Sequence, residues 1–125
     1  MKLARLTDAR FHSALRKLTS ASLPLRVAFK LKGIAAKVDV ELKKFEECRQ
    51  GALEKFGKRD AEGKIAIRED GTVEFEEDRL RAFATELNDL GQEEVDLGTI
   101  KMDELGDKVE LTAEELSLLD DVIVE

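Results

Sequence analysis

From Val27 to Phe56 the chain carries one apolar stripe. Val27, Leu31, Ile34, Val38, Leu42, Phe45, Ala52 and Phe56 fall on one side when each residue is turned by about 100°. Ser22, Leu23 and Pro24 mark its start, because a Ser hydroxyl caps and Pro is tolerated in a first turn whose N–H has no partner anyway. Gly57 marks its stop. A helix of this span is about 50 Å long at roughly 1.5 Å per residue. The whole chain has 125 residues, and a single domain of that size buries roughly two thirds of the surface its unfolded chain exposes. The rod is therefore longer than one core is wide, and part of its stripe is expected to find cover from the first helix folded back or from another subunit.

The rest of the chain punctuates itself. Thr7 and Asp8 offer caps for a first helix over Asp8 to Ser20, with Phe11, Ala14, Leu15 and Leu18 inward. Ile65 and Ile67, the turn Glu69-Asp70-Gly71, and Val73 and Phe75 predict a β-hairpin. A three-residue turn with Gly71 left-handed sets Ile67 opposite Val73 and Ile65 opposite Phe75, making one buried face. A helix follows from Glu77 to Leu90, burying Leu80, Phe83, Leu87 and Leu90 and ended by Gly91. Val95 with Leu97, Ile100 with Met102, and Val109 with Leu111 read as short strands. Thr112 and Glu115 form a capping box for a last helix that buries Leu116, Leu119 and Val122 or Ile123. The predicted class is α+β: an N-terminal helical hairpin with one long helix, then a β-hairpin or small antiparallel sheet with two further helices. Residues 1–57 form the basic hairpin and 58–125 the acidic α+β part of one domain.

Charge divides along the same line. Up to Gln50 there are twelve Lys or Arg against five Asp or Glu, a net of +7; from Gly51 on there are nine against twenty-three, a net of −14. Opposite fields on one small body favour head-to-tail docking, internal clamping or selective partner choice. Arg26, Lys30, Lys37 and Lys44 share one edge of the long helix, where lysines snorkelling beside a buried seam give the same pattern as a strip that docks an acidic surface. Leu25 and Phe29 point to the other side of the helix start, and Glu114, Asp120 and Asp121 are the acidic counterparts. Gly33, inside the helix, costs about 1 kcal/mol against Ala, and the close approach of another backbone would explain it.

Several chemistries find no residues to run them. His12 is the only His and Cys48 the only Cys, so neither a metal-ligand set nor a nucleophile with its base can be completed from them. Cys48 reads as a small core residue, and a chain with one Cys holds no internal disulfide and suits a reducing cytosol. Gly57-Lys58 and Gly63-Lys64 lack phosphate-loop spacing, and Asp60 with Glu62 and Asp120 with Asp121 lack the regular ligands of a calcium loop. No catalytic residue, cofactor or metal is assigned, and the expectation is a protein that is not an enzyme. The start of the chain lacks a signal-peptide stretch, and no run approaches the roughly 20 apolar residues of a membrane span. Residues 1–38 hold nine basic groups and one acid, which would attract nucleic acid. The acidic remainder and the absence of Trp and Tyr disfavour that partner.

Leu23-Pro24 with Phe29 and Ile34, the run Glu46-Glu47-Cys48-Arg49, then Leu53-Glu54-Lys55-Phe56-Gly57, and the ending Leu111-Thr112-Ala113-Glu114-Glu115-Leu116 with Leu118-Leu119-Asp120 together resemble a group of small proteins of tailed bacteriophages and prophages. The resemblance covers nearly the whole chain and is a pattern of helix, loop and capped last helix. It implies synthesis in the cytoplasm of a bacterial host and a place in the virion or in an accessory role.

The function expected is non-enzymatic: a minor virion or assembly component at the capsid, connector or tail, working through protein–protein contacts with other virion proteins or copies of itself. An oligomer or a larger assembly is expected, since a heterologous contact repeats readily around a ring. The partner-binding residues expected are Arg26, Lys30, Lys37, Lys44, Leu25, Phe29, Glu114, Asp120 and Asp121. One alternative is an accessory factor that binds a host protein by acidic mimicry of nucleic acid. A weaker one is nucleic-acid binding by the basic N-terminal helices.

Overall fold

The computed structural model describes all 125 residues. After a 3-10 turn at Leu3–Thr7, α1 runs over Ala9–Thr19 and buries Phe11, Ala14, Leu15 and Leu18. The Asp8 carboxylate caps it by accepting the Arg10 N–H at 2.9 Å. The long helix, α2, spans Leu25–Phe56, 32 residues and about 48 Å. Pro24 stands at its N-cap position and not in its first turn.

The apolar stripe of α2 is covered by the chain's own fold, with α1 folded back as one of the two expected sources of cover. Val27, Leu31, Ile34 and Val38 join a cluster of 16 buried apolar residues that includes Leu6, Phe11, Leu18, Ile100, Leu119 and Val122, and Leu42 and Phe45 pack against it. Phe56 is buried outside that cluster. The second half of α2 is covered by α3, Glu77–Gly91, which packs along it. The rod is wider than one core, but two packed regions placed along it suffice.

The predicted antiparallel sheet is replaced by a parallel one. Strand β1, Ile100–Lys101, pairs in parallel with β2, Ile123–Val124, in the register Ile100 with Ile123. Residues near Val95 are taken up by the start of the chain: the Val95 N–H donates to the Met1 carbonyl and the Leu3 N–H to the Glu93 carbonyl, both at 2.8 Å. Met102, predicted in a strand, instead opens the single-turn helix α4, Met102–Leu105, because the Glu104 carboxylate accepts the Lys101 N–H and caps it. The last helix, α5, covers only Ala113–Leu118. The Val122 and Ile123 N–H groups both donate to the Leu119 carbonyl, a turn that drops Ile123 beside Ile100. Three helices therefore follow residue 57, and not two.

Between α2 and α3 no hairpin sheet forms. Two isolated antiparallel bridges stand in its place, Arg59 with Ile65 and Ile67 with Val73, the second around a turn with Gly71 at φ +86°. The ladder ends there because Lys58 intervenes: its N–H donates to the Glu74 carbonyl, the Glu74 N–H to the Ala66 carbonyl, and the Ala66 N–H back to the Lys58 carbonyl. The predicted single buried face is not made either. Ile67 is 64% exposed, while Ile65, Val73 and Phe75 are half-buried.

Candidate docking surface

The N-terminal half of α2 is apolar on two sides. One side enters the core through Val27, Leu31, Ile34 and Val38. On the opposite side, Leu25, Phe29, Gly33, Ala36 and Val40 share one arc of the helix, and all are exposed. Leu25 is 89%, Phe29 80% and Val40 57% exposed. The row covers roughly 22 Å at 1.5 Å per residue. Withdrawing a Leu or Phe side chain from water is worth about 1.5–3 kcal/mol, so a partner that covers this row gains more than a set of surface ion pairs would give.

Gly33 sits in the middle of this row with nothing of its own chain within 4 Å of where a Cβ would be. No backbone of this molecule approaches it, so the close approach expected there does not come from within the chain. With Ala36 it makes a shallow notch between Phe29 and Val40.

Cations flank the row. Arg26, Lys32, Lys37 and Lys43 reach no carboxylate, while Lys30 pairs with Glu104 at 3.1 Å and Lys44 with Glu41 at 2.9 Å. Of the basic edge named from the sequence, Lys37 is thus free, Arg26 feels Glu104 without a salt bridge, and Lys30 and Lys44 are engaged. Lys32, Lys43 and Val40 belong to the surface and were missed. The 100° rotation that found the buried stripe also sets Val40 beside Leu25 and Phe29, but Lys and Asp neighbours disguise it.

The acidic residues named as counterparts are held within the molecule. Arg5 pairs with Asp120 at 2.5 Å and Asp121 at 3.3 Å, Arg10 with Glu114 at 2.9 Å, and Lys17 with Glu115 at 2.9 Å. Internal clamping, one of the three ways in which opposite fields can be used, is present. Each such exposed pair is worth only about 0–1 kcal/mol. The clamp sets orientation, and the core supplies the stability.

Hydrogen bonds to the ionised form shift several of these carboxyls. The Thr112 N–H and then Lys17 hold Glu115 below the usual range, and the Lys101 N–H and then Lys30 do the same for Glu104. Glu46 is pushed down to about 2 by Arg49 and then Gln50. These are structural ion pairs on open surface.

The remaining candidates gather no chemistry. His12 lies at the edge of the core with Nε2 2.5 Å from the Leu6 carbonyl. Cys48 is exposed and not in the core as expected, since it falls beside the buried stripe and not on it. Asp60 accepts the Glu62 and Lys64 N–H groups and so fastens a turn. No group of three or more His, Cys, Asp or Glu side chains is placed to hold a metal ion. An open apolar cleft of about 440 Å³ between α2 and α3 is lined by Phe45, Leu80, Phe83, Ala84 and Leu87, with no titratable group among its lining residues. No helix is long and apolar enough to cross a membrane.

Comparison with known proteins finds no matching family model, no matching curated protein and no matching solved structure. The likeness to small phage proteins rests on the residues quoted for it alone.

Proposed function

We propose that this protein works without catalysis, by docking onto another protein through the exposed side of α2, as a minor component or helper in building a bacteriophage particle. The observation that carries the docking reading is the row Leu25, Phe29 and Val40, left in water on a helix whose other side is fully used. Exposed apolar rows rimmed by charge are characteristic of interaction surfaces. The sequence resemblance supports the phage setting.

The test is mass spectrometry of purified particles from a host making the tagged protein. Expected is a fixed copy number for the parent chain and a loss of at least about tenfold for Phe29→Glu, equivalent to about 1.4 kcal/mol. Absence of the parent chain from particles, with capture of one bacterial protein instead, would mean a host-directed factor. Incorporation of Phe29→Glu at the parent level would remove the docking surface from consideration.

A further inference from the structure

We infer that the occupant of the α2 surface is an amphipathic helix of a different protein, apolar along one seam and acidic on both flanks, crossing α2 at Gly33 and Ala36. The inference rests on the docking reading above and adds the chemistry of the partner.

Three observations select this occupant. First, the surface is a straight row about 22 Å long with large side chains at its ends and a notch at its middle. A second helix meets that shape well, because small residues at the crossing let two axes approach to about 8 Å. Gly33 weakens α2 by about 1 kcal/mol and, like Gly51, relieves no contact inside the molecule; what sets Gly33 apart is its place between Phe29 and Val40, where the missing side chain leaves room for a neighbour from outside.

Second, the charge is one-sided. Lys32, Lys37 and Lys43 have no carboxylate partner, Arg26 makes no salt bridge and only feels Glu104 at longer range, and Asp39 and Glu41 are the only acids of α2 before Glu46. Carboxylates on both flanks of an arriving helix would find cations already in place.

Third, the same charge disfavours a second copy. An antiparallel pair about a two-fold axis near Lys32 and Gly33 would seat Leu25 on Val40 and Phe29 on Ala36, which fits by size. It would also bring Arg26 and Lys37 of both copies onto one flank, beside Lys30 already paired with Glu104. Like charges within a Debye length of about 8 Å repel with little screening by salt. A flat anionic membrane would bridge the notch without filling it and would meet Asp39 beside Val40.

The test uses the whole protein and a fluorescent designed helix of about five turns, Leu and Ala along one seam and Glu on both flanks. Expected is saturable binding that weakens steeply with added salt. Phe29→Glu and the pair Lys32→Glu with Lys37→Glu should each weaken it at least about tenfold. Gly33→Ala supplies a variant that cannot fail by unfolding. It should raise the melting temperature, as should Gly51→Ala on the same side of α2 about 27 Å away. Only Gly33→Ala should weaken binding. Equal binding of the same peptide with Lys flanks, or no binding of the Glu-flanked one, would overturn the inference. So would Phe29-dependent sedimentation with phosphatidylglycerol vesicles, or a concentration-dependent dimer lost in Phe29→Glu. The particle experiment separates the two readings: if Phe29→Glu is lost from particles while the acidic peptide fails to bind, docking stands and the acidic helix falls.

Discussion

Thr112 and Glu115 show how much two side chains can settle. The Glu115 N–H donates to the Thr112 hydroxyl at 3.1 Å and the Thr112 N–H to the Glu115 carboxylate at 2.9 Å, a reciprocal cap that starts α5. The same carboxylate accepts from Lys17 of α1. Thr112→Ala is expected to lower stability by about 1 kcal/mol, read from urea unfolding. Glu115 and Glu104 also set the acid response. Their carboxyls ionise more readily folded than unfolded, where a Glu sits near 4.5. The stability they lend is therefore present above about pH 4.5 and is lost as the pH falls through the lower folded values. The melting temperature of the parent chain should drop between pH 5 and pH 3, and Glu115→Gln should flatten that drop. An unchanged slope in the variant would mean that the ionised form gains nothing from its partners. This motif was legible because a capping box is local: its spacing of three residues is written in the chain.

Helices were legible for the same reason and strands were not. The boundaries of α1, α2 and α3 follow from period, caps and the glycines at 57 and 91, all of which act within a turn or two. The strands β1 and β2 are two residues each. Two residues carry no alternation, and whether Ile100 pairs with Met102's neighbours or with Ile123 depends on segments far away in sequence. Gly57 illustrates a local stop with a non-local cause. A Cβ there would lie 2.6 Å from the Leu53 carbonyl oxygen and 3.1 Å from the Val73 side chain. Gly57→Ala is expected to lower stability by about 1–3 kcal/mol through overpacking, whereas Gly51→Ala, with open space around it, should raise it by about 0.5–1 kcal/mol. Thermal melts of the two variants check this, and equal shifts would refute the packing account.

The polarity of the molecule was plain from composition, but its destination was not. Counting residues tells that one part is cationic and another anionic; only three-dimensional neighbours tell that Glu114, Asp120 and Asp121 serve Arg10 and Arg5. The docking row was half legible: Leu25 and Phe29 could be named, while Val40, Lys32 and the open notch at Gly33 emerge only once the core has claimed the other side of α2. Fully buried Leu119 should be the more revealing core position. Leu119→Ala is expected to cost about 3–4 kcal/mol and to speed hydrogen exchange in α1, which α5 packs against. If exchange quickens in α3 alone, the two ends of the chain do not share one cooperative unit. That union has a price in time. A ribosome finishes α1 about a hundred residues before it delivers Leu119, Val122 and Ile123, so until then the nascent N-terminal helices have only each other to cover Phe11, Leu15 and Leu18, an exposure of the kind that favours aggregation.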